Sequence, residues 1–314
     1  MHFKTAFLFP GQGSQTVGMG RDLSKAFPIA RQTFEEANEA LGFDLAELAF
    51  HGPEERLRLT EFTQPAIFTA SIAAYRVLRE HVPPPDYAAG HSLGEYSANH
   101  AAGVLGFPDA VRAVHKRGQL MQQAVAEGLG AMAAILGMSL PSVIEVCNDA
   151  ARETGNVVAA ANMNAPEQTA ISGAMAAVER AVVLAKERGA KRAVMLHVSA
   201  PFHCSLMQPA EGALRPVLEA IPFRDAAFPI IVNVDAVPVT AAEELRDALV
   251  RQVTGAVRWT ESIQWLLAQG VTEFVEVGPG KVLSGLLRQI DRDKKALHVD
   301  DCVLAARADA PLGL

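Results

Sequence analysis

Ser92 stands in Gly90-His91-Ser92-Leu93-Gly94-Glu95-Tyr96, a Gly-x-Ser-x-Gly frame. A serine lifted above a sheet on a sharp strand-to-helix turn needs neighbours without side chains, because the turn brings other backbone close. There its hydroxyl points into a cleft, and the Leu93 N–H sits at a helix N-terminus, where it can stabilise an oxyanion. The same frame fits an ordinary surface loop, so nucleophilic chemistry also requires a base. Nine histidines are available. His2, His51, His81 and His298 stand in plain surface contexts, while His91 and His100 flank the motif too closely to swing onto Ser92. His203, in Val198-Ser199-Ala200-Pro201-Phe202-His203, follows a strand and a proline turn and could face the serine. A Ser…Asp…His hydrolase would also place an acid between the two. Glu145, Asp149 and Glu153 fall there, but in a helix of the segment read below as an inserted domain.

The elements that must position these residues alternate between strand and helix. An apolar run at 5–9 closes on Pro10-Gly11-Gln12-Gly13 and reads as a buried parallel strand with a glycine loop. Helices are expected over 22–41, 45–50 and 60–82, with Pro83-Pro84-Pro85 breaking the last before the strand that leads to Ser92. Helical spacing covers 93–104 and 109–126. Arg112 and Lys116 read as a solvated face, with Arg117 beside them. From Gly130 the rhythm changes to strand 131–136, helix 141–153, strands 157–163 and 169–172, helix 174–188 and strand 193–198. That β-α-β-β-α-β order is the ferredoxin-like split motif. We therefore expect an α/β-hydrolase-like domain with a parallel sheet over 1–128 and 198–314, and a small inserted ferredoxin-like domain over 129–197. A cleft should lie between them, with Asn162 and Asn164 near it at a strand end. Helices 209–220, 242–253, 259–269 and 282–290 and strands 230–234 and 273–277 complete the large domain, and the residues from about Asp300 read as frayed.

Several chemistries are excluded. The glycines at 11, 13 and 18 miss the dinucleotide fingerprint, and Gly278-Pro279-Gly280-Lys281 has Val282 where a phosphate loop needs Ser or Thr. Cys147, Cys204 and Cys302 lack metal-ligand spacing, so neither a metal nor a disulfide is expected. A net charge of −7 argues against nucleic-acid binding. No apolar run spans a bilayer, and the N-terminal stretch is too short for a signal peptide, so a cytoplasmic protein is expected.

The string Gly-His-Ser-Leu-Gly-Glu-Tyr resembles the nucleophile motif of malonyl-CoA:acyl carrier protein transacylases and of the acyltransferase domains of polyketide synthases. Phe9-Pro10-Gly11-Gln12-Gly13-Ser14-Gln15, Phe62-Thr63-Gln64-Pro65-Ala66, Lys116-Arg117-Gly118-Gln119-Leu120-Met121 and the His203 string are similar to further family segments in the same order. The resemblance implies that Ser92 is the nucleophile and His203 its base. It implies that the N–H groups of Gln12 and Leu93 form the oxyanion hole, and that Arg117 grips the malonyl carboxylate as a planar fork. In this family the carbonyl of a glutamine, matched by Gln252, replaces the triad acid. Phe202 before the histidine is similar to a malonyl-selecting pattern. Ala256 precedes Val257-Arg258-Trp259 where the family commonly has proline, which touches no catalytic atom. The resemblance further implies malonyl-CoA and the phosphopantetheine arm of an acidic acyl carrier protein as substrates, no resident cofactor, and a monomer serving fatty acid biosynthesis. Lys191, Arg192 and Arg288 are candidate contacts for the carrier or CoA.

Three rivals stay open at the level of sequence. A serine hydrolase shares the elbow but needs a triad acid and no carboxylate clamp. An acyltransferase subunit could act on a partner's tethered thiol, and a silent carrier-docking module would not need serine, histidine and arginine together.

Overall fold

The computed structural model describes residues 3–196 and 198–299. Among the described residues ten strands form two sheets: β1 (Lys4–Phe9), β2 (Tyr87–Gly90), β3 (Gly130–Leu136), β4 (Val158–Ala165), β5 (Gln168–Ala174), β6 (Arg192–Met195), β7 (Ile230–Ile231), β8 (Pro238–Val239), β9 (Val271–Glu276) and β10 (Ala296–His298).

The larger sheet has the order β10-β9-β1-β2-β7-β8. Its neighbours run parallel except β7 and β8. Strand β1 shows why both faces are covered, since its residues alternate between two cores. Phe7 and Phe9 join the cluster formed with Phe34, Ile67, Phe68, Val111 and Val114. Ala6 and Leu8 face the opposite cluster with Trp259, Ile263, Phe274 and Leu287. The result is an α/β sandwich whose parallel sheet is buried on each side.

The smaller sheet is antiparallel, in the order β4-β5-β3-β6. Helices Leu140–Thr154 and Met175–Glu187 cover it and share their own core of Ile135, Val143, Val146, Ile171 and Val178. Its edge strand β4 is pinned to the large sheet's side of the molecule. Val257 donates from its N–H to the Ala161 carbonyl at 2.8 Å and accepts from the Met163 N–H at 2.9 Å.

The expected elements recur with local corrections. The helix expected over 22–41 is two, Arg21–Ala26 and Pro28–Leu41. Phe27 is extended (φ −129°, ψ 121°), because a residue before proline is driven out of the helical region. The long helix ends at Leu78, short of Val82. The strand expected to reach Val234 stops at Ile231, where the chain turns back into β8. A short helix at Glu54–Leu57, together with β8 and β10, went unanticipated. His298 is not a surface residue: it is buried, with Nε2 3.1 Å from the Gly278 carbonyl. The expected fraying from Asp300 lies outside the described residues.

Candidate active site

Three adjacent parallel strands deliver the centre of the site at their carboxyl ends. Phe9 of β1 pairs with Gly90 of β2, and Ala89 of β2 with Ile231 of β7. Gln12, Ser92 and Asn233 therefore emerge side by side, two or three residues beyond those strands, at the edge where open α/β sheets bind ligands. Ser92 adopts φ 51°, a left-handed strain that places its side chain above the sheet. The flanking glycines are sterically required. A Cβ on Gly90 would lie 1.9 Å from the Gly94 carbonyl carbon, and one on Gly94 would lie 2.0 Å from the Phe9 oxygen. Asn233 clamps the turn: its Oδ1 accepts the Ser92 N–H and its Nδ2 donates to the Gly90 carbonyl, both at 2.7 Å. The backbone N–H groups of Gln12 and Leu93 make no hydrogen bond among the described residues, as an oxyanion hole requires.

His203 returns from the small sheet on the loop after β6 and meets Ser92, with Nε2 2.7 Å from Oγ. Its backbone is also left-handed, at φ 60°. Nδ1 lies 2.9 Å from the Gln252 carbonyl and 3.1 Å from that of Gly255. Two acceptors there fix the proton on Nδ1 and leave Nε2 free to accept from the serine hydroxyl. Burial, helped by the charge of Arg117, pushes the His203 pKa down to about 3, so the ring is a neutral base at physiological pH.

Arg117 is buried at 1% exposure beside this pair. Nη1 donates to Gln64 Oε1 at 2.8 Å, and Nη2 to Gln252 Oε1 at 2.8 Å and Ser92 Oγ at 3.2 Å. The guanidinium lies 5.7 Å from the Tyr96 ring centroid. All its hydrogen-bond partners are neutral, and burial pushes its pKa down. A cation enclosed by neutral acceptors can receive an anion. Arg112 and Lys116, by contrast, are exposed.

The remaining residues divide. Phe202 is buried next to His203 in the main core. Asn162 is buried where β4 bridges to Val257, while Asn164 Oδ1 accepts from His91 Nε2 at 2.8 Å. Lys191 pairs with Glu167 at 3.4 Å on the surface, and Arg192 opens β6 opposite Leu136. Neither is brought into the Ser92 cluster. Arg288 is exposed on helix Val282–Ile290. Asn233, Gln64 and Glu95 were missed as site residues. Gln64 and Glu95 were already inside the quoted strings; for Asn233 the only signal was a polar residue just past a strand end. A cavity of about 640 Å³ lies elsewhere, lined by Met19, Leu23, Phe27 and Ala74. Among the described residues no group of His, Cys, Asp or Glu could hold a metal ion, and no helix is long and apolar enough to cross a membrane.

Comparison with known proteins gives the family. Residues 6–309 match the acyl transferase domain family. The malonyl CoA-acyl carrier protein transacylase of Haemophilus influenzae is 51% identical over 300 residues, covering 95% of this chain and 96% of that protein. Its counterpart in Bacillus subtilis is 50% identical over 298 residues, covering 95% and 94%. The solved transacylase of Coxiella burnetii aligns with a TM-score of 0.95 at 44% identity, covering 98% of each chain. A malonyl-transacylase solved in complex with a type II polyketide synthase acyl-carrier protein aligns at 0.94 with 46% identity, covering 98% of this chain and all (100%) of that one. A hydroxyl within hydrogen-bond reach of an imidazole suits acyl transfer, and with nearly its whole length matched this chain belongs to the acyl transferase family.

Proposed function

We propose that the protein moves a malonyl group from malonyl-CoA to the phosphopantetheine thiol of an acyl carrier protein through a malonyl-Ser92 intermediate. His203 Nε2 takes the hydroxyl proton as Ser92 Oγ attacks the thioester carbonyl, and the Gln12 and Leu93 N–H groups receive the oxyanion. Collapse breaks the C–S bond, and the proton on His203 leaves with the CoA thiol. The carrier's thiol then gives its proton to His203 and attacks the ester, regenerating Ser92. Through both steps the acyl carboxylate rests on Arg117, with Phe202 beside the histidine limiting the room for an α-substituent and Asn162 at the rim. The observation that carries this reading is the buried Arg117 fork, 3.2 Å from the Ser92 oxygen and without a carboxylate among its hydrogen-bond partners.

The names of the relatives support malonyl-CoA and a carrier protein as substrates, with fatty acid biosynthesis as the setting. In the same reading the chain divides into an α/β-hydrolase-like domain over 1–128 and 198–314 and a ferredoxin-like insert over 129–197. The sheet order β4-β5-β3-β6 supports that insert. No resident cofactor, a monomeric state and a cytoplasmic location complete the proposal, and Lys191, Arg192 and Arg288 are the exposed cations for an acidic carrier.

Intact-mass measurement after exposure to malonyl-CoA tests it. A malonyl adduct mapping to Ser92, discharged by reduced carrier protein and slow to hydrolyse without it, is the expected result. Free malonate released at equal rates with and without the carrier would instead identify a hydrolase.

A further inference from the structure

Glu95 is an acid that the transfer chemistry leaves unused. It is fully buried at the start of helix Gly94–Ala101, and its Oε1 has no hydrogen-bond partner among the described residues. Its Oε2 accepts from the Asn233 N–H and from Gln252 Nε2, each at 2.9 Å. Both donors orient the reacting groups. Asn233 holds the Ser92 N–H. Gln252 holds His203 through its carbonyl, the Ser92 carbonyl through Nε2 at 2.9 Å, and Arg117 through Oε1 at 2.8 Å. The Gln252 carboxamide thus lies between carboxylate and guanidinium, amino side toward one and carbonyl side toward the other. The other buried carboxylate among the described residues, Glu276, is occupied by the N–H groups of Leu283 and Ser284.

We propose that Glu95 is a positioning residue of the transfer: in its ionised form it is the counter-charge of Arg117, relayed through Gln252, and that form takes up a proton from solvent when an acyl carboxylate reaches Arg117. This rests on the reading that Arg117 receives that carboxylate. Two buried anions sharing one guanidinium repel, and protonating one of them relieves the repulsion. Burial already pushes the Glu95 pKa up to about 7, against the hydrogen bonds of Asn233 and Gln252 and the positive charges of Arg117 and Arg251. Arg251 is itself held by Asp235 and Asp247. The neighbouring Tyr96 phenol is kept protonated by burial, and His203 is neutral. Glu95 is therefore the group among these that changes charge near neutral pH.

The test compares kcat/KM for malonyl-CoA with that for acetyl-CoA from about pH 6 to about pH 8.5, a ratio in which steps common to both substrates cancel. In the wild type the ratio falls across that window, by roughly tenfold for each unit by which the acyl carboxylate raises the Glu95 pKa. In Glu95→Gln, which keeps an acceptor and loses the charge, it is flat. Calorimetry of wild-type acylation in two buffers of different ionisation enthalpy supplies a reading that does not depend on the variant folding. It should show more proton uptake with malonyl-CoA than with acetyl-CoA. A pH-independent wild-type ratio, or equal uptake with the two thioesters, overturns the proposal. Arg117→Ala separates the failures. If it leaves the ratio unchanged, the carboxylate role of Arg117 falls; if it collapses the ratio while the wild type stays flat with pH, only the Glu95 proposal falls.

Discussion

At the scale of single residues, the proposed discrimination between acyl groups rests on the shape of the Arg117 head group. Its two terminal nitrogens reach different oxygens, Gln64 Oε1 with Nη1 and the Gln252 and Ser92 oxygens with Nη2. A lysine at this position would carry the charge on one nitrogen and could not span that fork. Arg117→Lys is thus a sharper probe than truncation, because it preserves the charge and removes only the geometry. Each lost hydrogen bond to a charged group is worth ~1.5–3 kcal/mol. The malonyl-to-acetyl ratio of kcat/KM in Arg117→Lys should therefore fall by roughly ten- to a hundredfold. A ratio within twofold of wild type would show that charge alone selects the acyl group. Gln252 has a comparable double use. Its carbonyl was foreseen as the support of His203, whereas its carboxamide, reaching Ser92, Glu95 and Arg117, was not.

At the scale of elements, the crossing of helices Thr60–Leu78 and Phe107–Gln123 sets where Arg117 sits. Pro65 has no N–H for the Glu61 carbonyl, and His115 Nδ1 takes that acceptor at 2.9 Å. Gly118 then lets the helices touch. A Cβ there would lie 2.7 Å from the Thr60 oxygen and 2.8 Å from the Glu61 Cα, which are backbone atoms that cannot swing away. Gly118→Ala should force the helices apart and lower stability by ~1–3 kcal/mol. It should also depress malonyl transfer more than acetyl transfer, because Arg117 moves with its helix. Urea midpoints together with the two kcat/KM values check this, and an unchanged midpoint would refute the contact. What the sequence could disclose follows the same boundary between local and distant. Strand-turn-helix around Ser92 and the β-α-β-β-α-β run were legible because spacing and turn residues are local properties. The Phe27 break was legible in principle from Pro28. The pairing of β7 beside β2, which brings Asn233 under the elbow, is set by contacts between residues over a hundred positions apart, and no periodicity encodes it. Glu95 lay in plain view within the motif, but its burial against Asn233 and Gln252 is a property of the assembled fold.

At the scale of the whole molecule, buried titratable groups of opposite sign should shape stability against pH. Burial lowers the pKa of His203 to about 3 and that of His100 to about 4, from 6.5. His91 is lowered by the same cause. A depressed histidine contributes stability that is fully present above the unfolded pKa and is lost as pH falls toward the folded one, because the unfolded chain binds protons that the folded chain refuses. Glu95 runs the other way. Its folded pKa of about 7 exceeds the ordinary glutamate value of 4.5, so it favours the folded state at low pH and loses that contribution as pH rises between those values. Between pH 4.5 and 6.5 three histidines oppose one glutamate, and the histidines should prevail. The urea midpoint is then expected to rise through this window and to level off or dip slightly toward pH 7. His100 offers the cleanest check, since it stands outside the catalytic cluster, with Nδ1 2.8 Å from the Leu105 carbonyl. An asparagine amide can replace that donor without titrating. His100→Asn should flatten the acid limb by up to ~3 kcal/mol, at ~1.4 kcal/mol per pKa unit, whereas Glu95→Gln should steepen it. An acid limb that keeps its slope in His100→Asn would mean that the His100 pKa is not depressed in the folded protein, and that the limb arises at His91, His203 or the carboxylates instead.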